Sequence, residues 1–185
     1  MELTRGLQFV AVLVIMCLSV AIAHAQVILS GGYTETFLSE SAVDDASGFI
    51  MLVQKPIELS ESGRLEFAPK VGLSVLNSRA DEQFSPSLST TLHFAPMFGY
   101  HIVNAQKLSI IPFAGPFGSW VNWLKGGDAL ARESSYVSEF RFGIEAGVAV
   151  DWAVSDKVKV RLIPYSVQFG NESFRQGNLT LGFEL

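Results

Sequence analysis

Apolar and polar residues alternate with a period of two over most of the chain, most clearly from Tyr136 to Val154. Large apolar residues such as Phe140, Ile144 and Trp152 occupy the even positions of this segment, and the odd positions carry charged or small residues. Side chains of a β-strand point alternately to its two faces. The segment is therefore predicted to be one long strand with an apolar face and a polar face.

The same alternation recurs along the chain and predicts eight strands in all. It is regular in three further segments and less regular in four. The predicted strands cover about 27–38, 48–59, 65–75, 88–102, 107–124, 136–154, 158–169 and 178–185.

The connections between these strands alternate in length. Four are long and polar, namely 39–47, 78–86, 125–134 and 170–177, and three are short, namely 61–63, 104–106 and 155–157. Strict alternation of this kind is typical of an up-and-down barrel that has both chain termini at one end. The predicted fold is all-β, an eight-stranded antiparallel up-and-down barrel.

Besides Pro56, which interrupts the second predicted strand, five prolines fall inside the predicted strands. Proline has no backbone N–H to donate to a sheet, and a closed barrel has no edge strand to accommodate it. We therefore expect a β-bulge or a local gap in the hydrogen bonding at each of these residues. They are Pro69, Pro96, Pro112, Pro116 and Pro164.

The first 25 residues differ in kind from the rest. An apolar stretch over 9–22 is followed by Ala23-His24-Ala25, a small-x-small pattern. This arrangement predicts a secretory signal peptide over 1–25 and a mature domain over 26–185. Cleavage would also remove Cys17, the chain's one cysteine, so the mature protein is expected to fold without a disulfide.

Composition excludes several classes of protein. The 185 residues are 49% hydrophobic and 17% charged, which excludes intrinsic disorder. With 13 Lys and Arg against 18 Asp and Glu, and no basic run, the chain lacks the charge pattern of a nucleic-acid binder. No segment after the first 25 residues is apolar for long enough to be a transmembrane helix. Phosphate loops, dinucleotide fingerprints and H-E-x-x-H are absent, so we expect no cofactor and no metal.

Periodicity alone does not say which face of the barrel points inward. On the 136–154 strand the charged face also carries Gly143, Gly147, Ala149 and Ala153, and small residues suit the crowded interior of an eight-stranded barrel. The apolar face is then the outer one, as in a membrane barrel. The opposite orientation, a secreted lipocalin-like barrel that binds a small apolar ligand, is the alternative.

The dimensions of the apolar face favour the membrane. The stretch from Phe140 to Trp152 spans about 30 Å along the membrane normal when the strand is tilted by about 40°. Aromatic residues near strand ends are expected to form girdles at the two membrane interfaces. The predicted girdle residues are Tyr100, Trp120, Trp123, Tyr136 and Trp152.

The predicted inner face carries eight charged side chains of both signs. Unpaired charges are costly in an interior of low dielectric constant, so these residues should pair into a salt-bridge network. Such a network would fill the lumen and leave the barrel non-conducting. The residues are Glu66, Lys70, Glu139, Arg141, Glu145, Asp151, Lys159 and Arg161.

Candidate catalytic chemistry is sparse. His93 and His101 share one face of a strand, but eight residues span about 26 Å, too far for one metal ion. Barrel enzymes that trim or acylate lipopolysaccharide would need a serine, a histidine and a carboxylate at the outer rim. The sequence places no such set beside His93. A non-enzymatic protein is therefore expected, with a lipopolysaccharide-modifying enzyme as a further alternative.

The C-terminal segment, Asn178-Leu-Thr-Leu-Gly-Phe-Glu-Leu185, resembles the terminal-strand signal that the barrel-assembly machinery reads. Two similar segments, 67–73 and 94–100, resemble strand cores of the same proteins. Over 26–185 the chain resembles the small eight-stranded outer-membrane β-barrel proteins of Gram-negative bacteria. The resemblance implies a monomer in the bacterial outer membrane that contacts membrane lipid and lipopolysaccharide and is assembled through its C-terminal strand.

The predicted lipid face also sets the register of the hairpin around Ser155-Asp156-Lys157. If Trp152 and Val160 both face lipid, the connection must contain an odd number of residues, because a shift of one residue reverses the faces. The expected form is a three-residue turn that pairs Val154 with Val158. The same register pairs Asp151 with Arg161 inside the barrel.

Overall fold

A computed structural model describes residues 27–38, 46–78, 88–125, 135–155, 158–171 and 174–184. The regular elements in these ranges are all β-strands. The predicted signal peptide over 1–25 and most of the predicted long connections lie outside the described residues. The strands are β1 (Ile28–Leu38), β2 (Ala46–Gln54), β3 (Ile57–Glu58), β4 (Leu65–Ser78), β5 (Leu88–Tyr100), β6 (Val103–Ala105), β7 (Leu108–Lys125), β8 (Ser135–Ser155), β9 (Val158–Gly170) and β10 (Phe174–Glu184).

These ten segments form eight barrel strands. β2 and β3 both pair with β4 and make one barrel strand that is interrupted at Lys55 and Pro56. β5 and β6 both pair with β7 and make another. All neighbours are antiparallel, and the pairing of β2 with β4 closes the sheet into a ring. The predicted eight-stranded up-and-down barrel is confirmed.

The strands of the ring are staggered. Following the register once around the barrel from Ile28 leads back to β1 at Leu38. A stagger of this size requires the strands to tilt by about 40° from the barrel axis. Tilt brings residues from different strand positions to one level of the lumen, and this is how the sites below are assembled.

The two ends of the barrel are distinct. Ile28 near the N-terminus pairs with Glu184 near the C-terminus, and the short connections of the β3–β4, β6–β7 and β8–β9 hairpins lie at this same end, which we call the turn end. The opposite end is the loop end. One predicted turn is shifted, because Asn104 and Ala105 pair with β7 and leave only residues 106 and 107 in the connection.

The strand prolines lie at a bulge or at gaps, as expected. Pro164 lies where β9 shifts register against both β8 and β10. Pro96 and Pro116 lie opposite each other, in a stretch where the β5–β7 pairing is interrupted between Phe94 and Phe98. Because neither proline has an N–H, the two strands lose their mutual hydrogen bonds at this one level.

Pro69 and Pro112 face breaks in the neighbouring barrel strands. The carbonyl oxygen of Pro69 accepts a hydrogen bond from the Lys55 N–H at 3.1 Å, so the ring nitrogen, on the same side of the strand, faces the break between β2 and β3. Pro112 lies opposite Tyr100, the last residue of β5. Its ring nitrogen therefore faces the break between β5 and β6.

The β8–β9 hairpin has the predicted register but a different turn. Trp152 pairs with Val160 and Asp151 pairs with Arg161, so these two predictions are confirmed. The predicted pairing of Val154 with Val158 is wrong, because Ser155 pairs with Val158 and the register shifts between Ala153 and Ser155. A bulge in β8 supplies the extra residue that was expected in the turn.

Some inward-facing glycines mark places where neighbouring strands come very close. A Cβ atom on Gly143 would lie 1.9 Å from the carbonyl oxygen of Phe169 on β9. Backbone held in a hydrogen-bonded sheet cannot move away, so no larger residue fits there. A Cβ on Gly118, which faces outward, would instead meet the ring of Phe140 at 3.0 Å, and that ring can rotate.

Gly143→Ala should therefore destabilise the barrel by about 1–3 kcal/mol, the usual range for forced overpacking. Gly118→Ala is the matched control and should cost clearly less. Urea unfolding of both variants from detergent micelles measures the difference. Equal midpoints for the two variants would show that the close approach of β8 and β9 at Gly143 does not constrain the fold.

Candidate functional site

The outer surface of the barrel is an apolar belt. Its side chains are exposed in the isolated protein, for example Phe94 at 55% and Ile144 at 61%. The belt encircles the barrel and is formed by these apolar side chains: Leu29, Phe49, Met51, Val71, Leu73, Val75, Phe94, Phe98, Phe140, Phe142, Ile144, Phe169, Leu179, Leu181 and Phe183. This is the orientation predicted for a membrane barrel and the reverse of a lipocalin-like one.

Four of the five predicted girdle residues face outward. Tyr100 and Trp152 lie near the turn end, and Trp120 and Tyr136 lie near the loop end. The prediction for Trp123 is wrong, because its side chain is 3% exposed and lies inside the barrel. An odd separation from Trp120 places the two indoles on opposite faces of β7.

Six charged or ionisable side chains form a cluster inside the barrel near the turn end, the turn-end cluster. Arg161 is its centre and is 1% exposed. Its Nε lies 2.6 Å from Oδ1 of Asp151, and its Nη1 lies 3.0 Å from Oε1 of Glu66. Both carboxylates are buried, so one guanidinium joins two carboxylates from opposite sides of the lumen.

Three further residues complete the turn-end cluster. Nε2 of His101 lies 3.4 Å from Oε2 of Glu66. Nζ of Lys159 lies 3.5 Å from Oδ2 of Asp151 and 3.0 Å from Oε2 of Glu184. The Lys159 side chain is about one-third exposed, which puts this side of the cluster at the mouth of the barrel.

Halfway along the lumen, Lys70 and Glu145 form a buried ion pair. The Nε2 of Gln168 donates to Oε2 of Glu145 at 3.0 Å. Two charges buried together need each other and additional hydrogen bonds to offset the loss of water. Gln168 provides one such bond.

Uncharged polar side chains form the next level toward the loop end. Nδ1 of His93 lies 2.7 Å from Oγ of Ser119, and its Nε2 lies 3.3 Å from Nε2 of Gln176. Gln176 also donates to Thr34 at 2.9 Å and to Asn178 at 2.9 Å. The alternation pattern did not predict these partners of His93, although Ser119 is its register partner on β7.

This arrangement is not a catalytic triad. In a triad one histidine nitrogen faces the serine and the other faces a carboxylate. Here the second nitrogen faces the amide of Gln176 and the hydroxyl of Ser74. Ser119 is also 0% exposed, so no substrate can reach it.

Glu139 and Arg141 pair inside the barrel near the loop end. Nε1 of Trp123 donates to Oε1 of Glu139 at 3.1 Å. The guanidinium carbon of Arg141 lies 5.8 Å from the centroid of the Trp123 ring, a cation–π distance. The indole that was predicted to face lipid thus contacts both members of this pair.

The lumen also contains apolar packing that the alternation pattern did not predict. One cluster is formed by Ile111, Ala149 and Ile163, and another by Ala95, Met97 and Phe117. Phe113 packs against both. The first cluster and Phe113 form an apolar layer on the turn-end side of the buried Lys70–Glu145 pair. Ala95 and Phe117 lie beside that pair, since Ala95 pairs with Lys70 and Phe117 pairs with Gly143.

All eight charged residues predicted for the lumen project into it. The structure brings them together as three groups rather than one continuous network: Glu66, Asp151, Lys159 and Arg161; Lys70 and Glu145; Glu139 and Arg141. Partners that the prediction left out are His101, Glu184, Gln168 and Trp123.

Neither a metal-binding cluster nor a membrane-spanning helix is found in the part of the chain that the structure describes. These residues contain no group of three or more His, Cys, Asp or Glu side chains that could hold a metal ion. They also contain no helix that is long and apolar enough to span a membrane.

Comparison with known proteins identifies the fold. No family model matches the sequence, and no curated protein matches it. Among solved structures, the Yersinia pestis attachment invasion locus protein Ail is 10% identical with a TM-score of 0.53, covering 87% of this chain and 98% of that one. Neisserial surface protein A is 16% identical with a TM-score of 0.54, covering 86% and 94%.

A major outer membrane protein of Thermus thermophilus is also similar, at 9% identity and a TM-score of 0.51 over 85% of this chain and 98% of that one. The chain thus has the fold of the small eight-stranded outer-membrane β-barrels. Its apolar belt outside and its charged residues inside are the arrangement of a transmembrane β-barrel.

Arg161→Met should lower the free energy of unfolding by about 3–5 kcal/mol, because it leaves Asp151 and Glu66 buried without their shared cation. Lys159→Met should cost about 1 kcal/mol or less, since its side chain is partly in solvent. Urea unfolding measures both variants.

A variant that combines Arg161→Met with Asp151→Asn and Glu66→Gln should recover much of the lost stability. Recovery is expected because no buried charge is then left uncompensated. If the triple variant is as unstable as the sum of its three single changes, the turn-end cluster does not act as one electrostatic unit.

Proposed function

We propose that this barrel is closed to ions and acts either as a structural element of the outer membrane or through its surface loops. The observation that carries the proposal is that polar lumen side chains are buried. Arg161, Glu145 and His93 come from different levels of the lumen, and each is at most 1% exposed. Residues that line a water-filled channel would instead be in contact with solvent.

Closure is repeated along the barrel axis. Passing from the turn end, an ion would meet the turn-end cluster, then the apolar layer around Phe113, then the Lys70–Glu145 pair, and finally the polar level around His93. Each level is built from different residues, although β4, β8 and β9 contribute to more than one level. Loss of one level therefore leaves the others in place.

In planar lipid bilayers, the wild-type protein should show no steady current steps of porin size. The double variant Lys70→Ala/Glu145→Ala should also stay silent, because the turn-end cluster and the apolar layer still close the lumen. Single-channel recording checks both proteins.

Steady conductance by the wild-type protein would contradict the closed lumen. A silent wild type with a conducting double variant would show instead that the Lys70–Glu145 pair is the single gate of a narrow pore, the less favoured form of this proposal. Lys159→Ala, at the partly exposed mouth, is the matched control.

The outer belt gives an independent test of the membrane environment. Phe94→Arg places a charge on the lipid face near the middle of the belt and should cost about 2–4 kcal/mol. Ile102→Arg, on an equally exposed side chain at the turn end, should cost about 0–1 kcal/mol. Unfolding is measured from phospholipid vesicles, and equal costs would argue against a lipid-facing belt.

One feature of the C-terminal strand supports the expected route of assembly into the membrane. The C-terminal strand carries Leu179, Leu181 and Phe183 on its outer face, the pattern that resembles the signal for the barrel-assembly machinery. We propose cleavage of 1–25 as a signal peptide, insertion by that machinery, and a monomeric state. The belt is then covered by membrane lipid, including lipopolysaccharide in the outer leaflet.

The lipopolysaccharide-modifying enzyme is not favoured by the described residues. Their two Ser–His contacts, of His93 with Ser119 and with Ser74, are buried inside the barrel. An enzyme acting on an outer-leaflet lipid needs its nucleophile at the outer rim. Activity through the surface loops is the alternative that is compatible with a closed lumen.

A further inference from the structure

Four outward-facing side chains near the loop end are joined by hydrogen bonds into one surface, the rim patch: Trp120, Asn122, Tyr136 and Ser138. Nε1 of Trp120 donates to Oγ of Ser138 at 2.7 Å and lies 3.3 Å from Oδ1 of Asn122. The Tyr136 hydroxyl donates to the same Oδ1 at 2.7 Å. The two donors fix the orientation of the Asn122 amide.

The rim patch lies just above the apolar belt. Trp120 pairs with Phe140, and Asn122 pairs with Ser138 one outward position closer to the loop end. Two residues on a tilted strand raise the surface by about 5 Å along the membrane normal. Asn122 and Ser138 are therefore at the level where acyl chains give way to headgroups.

The patch has the chemistry of a sugar-binding surface. The rings of Trp120 and Tyr136 are 54% and 59% exposed, and aromatic faces pack against the apolar C–H face of a sugar ring. An amide and two hydroxyls supply neutral donors and acceptors for sugar hydroxyls. The outward positions of β7 and β8 whose side chains are described here carry no charge, which disfavours a phosphate.

We propose that the rim patch binds a core sugar of an outer-leaflet glycolipid, one of those attached next to its lipid A anchor. The inference rests on the proposed orientation of the barrel in the outer membrane. It goes beyond that proposal by assigning the contact to specific side chains and to sugar rather than to acyl chains or phosphate.

The test compares two glycolipids that share the lipid A anchor and differ in the core sugars attached to it. Folded protein in detergent micelles is titrated with rough lipopolysaccharide, which carries core sugars, and with lipid A, which lacks them. Bound glycolipid per protein is counted by native mass spectrometry. Asn122→Ala and Tyr136→Phe should each weaken binding of the rough form about fivefold, the loss expected for a hydrogen bond of about 1 kcal/mol. Their binding of lipid A should be unchanged.

Tyr100→Phe is the matched control, because this tyrosine faces outward at the turn end and its variant should bind both glycolipids as the wild type does. Each variant is first shown to fold by its mobility shift on heating. Wild-type binding of the rough form by both patch variants would overturn the inference, and so would equal losses for the two glycolipids. A wild-type protein that does not insert into lipid would overturn the proposed function itself.

Discussion

The lipid around this barrel cannot hydrogen-bond, and the rest of the structure follows from that constraint. A wall that faces hydrocarbon must satisfy its backbone N–H and C=O groups within the sheet, so the sheet closes into a ring. The prolines show how strict the requirement is. Pro69 and Pro112 face breaks in the neighbouring barrel strands, and Pro164 lies at a bulge. Only the facing pair of Pro96 and Pro116 removes hydrogen bonds from a continuous stretch of wall.

Closing only eight strands leaves an interior about wide enough to be filled by side chains. Charged residues that are buried on the inner face then lose contact with solvent and need partners across the lumen. Arg161 reaches Asp151 on the neighbouring strand and Glu66 on the far side of the barrel. Removing charges from water is costly even when they pair. The apolar clusters around Phe113 fill the intervening volume without that cost.

Much of the architecture could be predicted from the sequence because a period of two is a direct record of the two faces of a strand. Strand number, outer face, proline irregularities and the Asp151–Arg161 register all follow from it. The pattern does not distinguish the inner from the outer face where a strand is apolar on both faces, as β7 is. Ile111, Phe117 and Trp123 therefore went unrecognised as lumen residues.

Contacts between strands that are distant in the sequence could not be predicted from the alternation pattern either. Alternation places Glu66 and Arg161 on the inner face, but it does not say that they are partners, since they are 95 residues apart. Whether they meet depends on the stagger of the ring. The stagger results from the register of every strand pair around the ring, including the shift at the Pro164 bulge. Likewise, His93 is on the inner face by its position alone. Its contact with Ser119 depends on the β5–β7 register.

The β7–β8 hairpin combines these constraints at the loop end. Within the described residues, β8 pairs with β9 only from Gly143 toward the turn end, so its first eight residues pair with β7 alone. On the inner face of this extension, Glu139 and Arg141 contact Trp123 near the loop end of the lumen. On the outer face, Asn122 and Ser138 replace the apolar belt with neutral polar groups. Alternation therefore lets one short hairpin place an ion pair in the lumen and neutral polar groups on the outer surface, because the two sets of residues lie on different faces of the same strands.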